Sequence, residues 1–207
     1  MEFQDLIVQL RDDSKSYHFC RDGLKGVAFA TSVLQCVEML RENIMFCFES
    51  DYHQVIAENV EEWYKSWKWE FNQCGIWVNE CPDGGKGIVI ITGIDKDVPN
   101  ETLDTYEKII IGNCHAFIFG GGKVKVTVFD HARIHSKNPK ASLLLTNHSQ
   151  GFVEKSTVTT NDFAVCYAEE SKVYLDGHSV AHVTPSCKVT HLSPCCQVHP
   201  IARLGIQ

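Results

Sequence analysis

The sequence predicts an α+β chain: a helical N-terminal unit followed by a β-solenoid built from eight-residue repeats. Three observations carry this expectation. Up to about residue 75, apolar residues fall at spacings of three and four. From about residue 112, small residues recur at steps of seven to nine: positions 116, 124, 132, 141, 149, 156, 164, 171, 179, 187 and 195, of which eight are Ala or Ser. The charge also divides. Residues 1–111 carry a balance of −10 and residues 112–207 a balance of +3, with eight of the ten His in the second part.

In the first unit, "DGLKGVAFATSVLQCVEMLRENIMFCFESD" reads as one or two amphipathic helices, with Val27, Phe29, Val33, Leu34, Val37 and Leu40 on the apolar side. "VIAENVEEWYKSWKWEFNQCGI" gives another, stopped at Cys74-Gly75. The helical spacing of the cluster Trp63, Trp67 and Trp69, with Trp77 nearby, predicts core packing rather than a ligand box. "GIWVNE" and "GKGIVIITGI" read as short strands around the turn-rich "NECPDGGKG". That stretch lacks the spacing of a phosphate loop, and no helix pattern follows it. The expected organisation is a helical unit over 1–75, short strands and linker over 76–111, and a solenoid with its C-terminal cap over 112–207.

In the solenoid, the residues two places after the small ones are Ile118, Val126, Ile134, Leu143, Gly151, Val158, Cys166, Val173, Ala181, Val189 and Gln197. Six of these are Val or Ile, which favour strands, and the intervening residues are mostly polar. Asp130, Asn147 and Gly177 mark corners between strands. The His recurrence favours two strands per coil, which stacks His115, His131, His148, Phe163 and His178 in one column and Lys123, Lys140, Lys155 and Glu170 in another. Phe117, Phe119, Phe152, Tyr167 and Tyr174 fall in outward rows, where aromatics mark a covered face or an interface. Pro194 and Pro200 break the pattern, so "THLSPCCQVHPIARLGIQ" is the expected cap over an otherwise open sheet edge.

Three sites follow as candidates. The column of His115, His131, His148 and His178, with Lys123, Lys140 and Lys155, offers titratable and cationic groups to an anionic ligand such as a nucleotide. Cys187, His191, Cys195, Cys196 and His199 are the right donor types for zinc, although their spacing matches no standard finger. A Cys–His nucleophile would need a mark of activation, and the sequence singles out no Cys. Ten Cys without a CxxC pair read as reduced, mostly buried thiols, and no cofactor is expected beyond the zinc possibility. The composition suits neither a basic nucleic-acid binder nor a membrane span, and the acidic, interrupted first residues do not read as an export signal. A soluble, cytoplasmic protein is expected.

The stretches "CGIWVNE", "EKIIIGNCHAFIFGGG" and the octads from "VKVTVFDH" onwards resemble a group of uncharacterised octapeptide-repeat β-solenoid proteins from gut Bacteroidetes and their phages. Those have a small helical N-terminal part and octads of the form A-x-V-x-A-x-[DG]-[NS]. The resemblance covers about the last two thirds of the chain, which is richer in His and Cys and slips register at three steps. It implies the fold and a bacterial or phage origin, and supplies no catalytic residues. The expected function is non-enzymatic binding. The solenoid surface would contact a protein partner or a second copy, as a virion or assembly component or as an inhibitor of a host protein. Sequestration of a small anionic ligand and Cys/His-based enzymology are the alternatives.

Overall fold

A computed structural model describes residues 1–17, 21–44, 47, 52–80, 87–92, 108–112, 115–118 and 122–205. Phe119 and the turn residues 81–86 lie outside them. The chain forms two units, Met1–Trp77 and Val78–Gln207. Among the described residues no helix is long and apolar enough to cross a membrane.

The first unit contains α1 (Phe3–Ser16), α2 (Arg21–Phe29), α3 (Val33–Glu42), α4 (His53–Ser66) and α5 (Lys68–Gln73). α1 begins where the Glu2 backbone N–H donates to the Asp5 carboxylate at 3.2 Å. α3 begins at Ser32, whose hydroxyl accepts the Gln35 N–H, while the Gln35 side chain accepts the Thr31 N–H at 2.7 Å. The helix predicted from Val55 to Cys74 is divided at Trp67, where the backbone leaves helical geometry at φ −137°. Leu6, Ile7, Val27, Val37, Ile56, Val60, Trp63 and Phe71 form the core. Trp69 departs from the expected core cluster and is 63% exposed.

The second unit is a parallel β-solenoid. One sheet has eight strands, in the order β1 (Ile76–Val78), β2 (Ile88–Thr92), β3 (Lys108–Gly112), β5 (Val124–Phe129), β7 (Ala141–Leu145), β9 (Thr157–Thr160), β11 (Lys172–Leu175) and β13 (Lys188–His191). The other has six: β4 (His115–Ile118), β6 (Arg133–Ser136), β8 (Gln150–Glu154), β10 (Val165–Glu169), β12 (Val180–Val183) and β14 (Gln197–Pro200). The solenoid sheet therefore takes in the short strands expected over 76–111. It also takes in part of the expected cap, since β14 pairs along its length with β12. From β3 onwards, successive strands alternate between the two sheets, so each coil contributes one strand to each. The register runs without a break from coil to coil: His115 lies opposite Arg133, Arg133 opposite Gln150, Gln150 opposite Val165, and Val165 opposite Val180.

The inward rows are those the alternation predicts. Val126, Leu143, Val158 and Val173 line one sheet and Ile134, Cys166 and Ala181 the other, all at most 1% exposed. Burial pushes the Cys166 thiol up to about 12, so this Cys fills space as a neutral, small apolar group. The small residues Ala132, Ser149, Ser156, Ala164, Ser171 and Ser179 at the corners, and Ala141 at the start of β7, are also buried. At the C-terminal end the row shifts by one: Cys195 is exposed and Cys196 is buried. Ala116 and Ile118 are buried too, but Ala116 pairs with Ile134, which places it in a strand rather than at a corner.

The corners explain the Asp, Asn and Gly positions. Asp130, Asn147, Asp162 and Gly177 all have φ between 54° and 62°. Asn, Asp and Gly accept this left-handed conformation at least cost. Each corner closes with a backbone hydrogen bond, as from Ser149 N–H to Thr146 C=O, and joins the next coil, as from His148 N–H to Asp130 C=O. The Asp162 carboxylate adds two side-chain links, accepting the Thr146 hydroxyl at 2.5 Å and the Asn147 N–H at 3.1 Å. Asp162→Ala removes both acceptor contacts and keeps the strained φ. It should cost about 2–3 kcal/mol in chemical unfolding, whereas Asp162→Asn, which keeps an acceptor oxygen, should cost less than half as much.

Candidate functional site

The solenoid stacks rings in two columns, because in-register parallel coils place equivalent side chains one above another. The first runs along the outward face of the six-stranded sheet: Phe117, His135, Phe152, Tyr167, His182 and His199. Successive ring centroids lie 5.0, 4.5, 4.9, 4.7 and 5.1 Å apart. From His135 to His182 the rings are nearly parallel, with interplanar angles of 17°, 6° and 9°. The second column stands at the corner: His131, His148, Phe163 and His178, at 5.4, 5.5 and 5.5 Å. All four rings of that column are exposed.

His115 does not join the corner column. It opens β4, opposite Arg133, and its ring lies 4.6 Å from Phe117 and 4.8 Å from His135. The first coil, from His115 to its partner Arg133, is longer than two octads, which moves His115 off the corner and onto the sheet.

A stacked column turns its ring faces to neighbouring rings, so contacts with anything else are made by ring edges. In the corner column these edges are imidazole nitrogens of His131, His148 and His178, with Phe163 between the last two. In the sheet column they alternate between aromatic C–H, the Tyr167 hydroxyl and imidazole. The surroundings of His135 and His182 in the sheet column favour the neutral imidazole. Burial, then the neighbouring His115, Arg133 and Lys137, lowers His135 to about 4. Burial and His199 also lower His182. The row beside the column runs Arg133, Gln150, Val165 and Val180.

The strand register places Lys123, Lys140 and Lys155 at successive corners, with Glu170 next. Lys155 is not available as an isolated cation: its Nζ lies 3.4 Å from Glu154 and 3.8 Å from Glu170. Glu154 also pairs with Lys137 at 3.3 Å. An anion at this corner would compete with two carboxylates.

Of the C-terminal Cys and His residues, the fold brings His191 and Cys196 together and gives Cys187 and His199 different partners. Cys187 donates to the Ala168 carbonyl at 3.2 Å. His191 Nδ1 lies 3.1 Å from Cys196 Sγ, which also approaches the Ser193 carbonyl at 2.8 Å. Cys195 is exposed, and His199 belongs to the other sheet, stacked on His182. Among the described residues no group of three or more His, Cys, Asp or Glu is arranged to hold a metal ion.

Of the aromatics expected in outward rows, Phe117, Phe152 and Tyr167 share the sheet column, while Tyr174 lies in β11 of the other sheet. Sequence reasoning singles out the corner column and misses His135 and His182. The signal is present: each corner ring is followed four residues later by a sheet ring, in the pairs 131/135, 148/152, 163/167 and 178/182. No protein-family model matches the chain, and neither curated proteins nor solved structures give a match.

Proposed function

We propose that this chain is a non-enzymatic binding protein whose solenoid face contacts a protein, as a component of a bacterial or phage assembly or as an inhibitor of a host protein. The observation that supports this is the six-ring column, part-exposed from Phe152 to His182 and repeating at about 5 Å. Such a surface offers a run of aromatic and imidazole ring edges with few charges along its centre, the character of an interface core. Its regularity suits a partner with a flat or repeating surface, including a second copy of the chain. The exposed pair His131 and His148 favours a second reading, capture of a small anion in place of a protein.

Native mass spectrometry of the full chain, gently purified from bacterial lysate, tests the choice. The expected result is a protein assembly, with itself or with another polypeptide, that is lost in a Phe152→Ser/Tyr167→Ser variant that still folds. A nucleotide-sized mass that disappears in a His131→Gln/His148→Gln variant would overturn the protein-contact reading in favour of sequestration. A bare monomer for the unaltered chain would overturn it as well.

A further inference from the structure

The helical unit holds a cavity of about 90 Å3 bordered by α1 to α5 and by Cys47 and Tyr52. One water centre needs only about 10–15 Å3, so the space is several waters large. Its walls are almost wholly apolar, including Leu6, Val37, Leu40, Ile56, Trp63 and Phe71. Asn43, the amide among the lining residues, is exposed and gives its Nδ2–H to the Met39 carbonyl at 2.9 Å. Water in such a space would find few partners, and an apolar occupant would gain contacts along its walls.

A second observation points to what that occupant carries. Trp63 is 4% exposed and lines the cavity, and its indole Nε1–H is buried without a hydrogen-bond partner among the described residues. Buried donors are seldom left unpaired, because an unmade hydrogen bond forfeits the interaction with water and gains nothing in return. Among the described residues, none of the side chains that line the cavity accepts a hydrogen bond from it. The Tyr52 hydroxyl, also at the cavity, already donates to Asp13 at 3.3 Å.

We infer that the helical unit binds a small, uncharged ligand with a single-ring or similarly compact apolar body and one hydrogen-bond acceptor, such as a carbonyl oxygen, which meets the Trp63 Nε1–H. The class is that of aryl ketones, esters and amides of about this size. A carboxylate is disfavoured, since among the described residues no cationic side chain lines the cavity to offset its desolvation.

The test uses the full chain and two ligands of matched shape, acetophenone and isopropylbenzene, titrated by ligand-observed NMR. Acetophenone is expected to bind saturably. Trp63→Phe keeps the aromatic wall and removes the donor, so it should weaken acetophenone about tenfold and change isopropylbenzene by less than twofold. Val37→Phe, which fills the space, should abolish both, with circular dichroism showing that the helices remain. Absence of saturable binding to the unaltered, folded chain would overturn the inference. So would an equal loss of both ligands in Trp63→Phe.

Discussion

Truncating Leu145 to Ala should destabilise the solenoid by about 2–5 kcal/mol, read from the midpoint of urea unfolding at constant slope. Leu145 closes β7, is fully buried, and pairs with Val128 on one side and Thr160 on the other. The coil cannot collapse onto the lost volume, because in-register backbone hydrogen bonds hold both neighbours. Its partner in space is Gly151. A Cβ added there would lie 2.5 Å from Leu145 Cδ1, closer than unstrained contact allows. Gly151→Ala alone should therefore cost about 1–3 kcal/mol through overpacking. In the Leu145→Ala background that Cβ has room. The double variant is expected to be less destabilised than the sum of the single ones by about 1–2 kcal/mol. Strict additivity would mean that the two positions do not share the space the structure assigns them.

That pair also shows why part of the solenoid was legible and part was not. A period-2 alternation with a small residue at each corner is a local signal, and it locates the inward rows from Val124 to Val183 residue by residue. Gly151 breaks the expected Val/Ile row. The reason is a side chain from the opposite sheet, and no local pattern encodes contact between two strands of different sheets. The displaced His115 has a similar origin. Whether a residue lies at a corner or in a strand depends on the length of its coil, and the coil from His115 to Arg133 is longer than the one from Gln150 to Val165. At the other end, Cys195 and Cys196 are adjacent, and the alternation does not say which faces inward.

In the helical unit the strongest stripes lie in the later helices and leave α1 unread, although Leu6, Ile7 and Leu10 fall at helical spacing. The acidic side chains interleaved with them hide this amphipathic helix. The cavity is beyond sequence reasoning altogether. The stripes identify which residues turn inward, but not where helices leave space between them. The sheet column lies between these extremes. Its rings recur four residues after the corner rings, yet only the coil register converts that spacing into a stack.

The largest pH effect should come from that stack. His135 sits between Phe117 and Phe152, is 9% exposed, and has a buried Nδ1 without a partner among the described residues. Burial is the main cause of its lowered pKa of about 4, with repulsion from His115, Arg133 and Lys137 adding to it. In the unfolded chain the same imidazole titrates near 6.5. Its folded pKa is therefore below its unfolded one, and folding favours the neutral form. The stabilisation is complete above about pH 6.5 and drains away as pH falls through about 4, at roughly 1.4 kcal/mol per pH unit in between. About 3 kcal/mol is the ceiling, reduced in practice by water at the open side of the column. Replacing His135 with Phe removes the titration and extends the Phe117–Phe152 stack with a ring of similar size. The variant should match or exceed the natural chain near pH 7.5. Between about pH 7.5 and 4.5 it should lose about 2 kcal/mol less stability than the natural chain does. Equal acid sensitivity in the two chains would show that His135 is solvated in the folded state. If the difference appears, His135 is held in its neutral form at physiological pH, and what it presents to a partner there is an uncharged ring edge between Phe117 and Phe152.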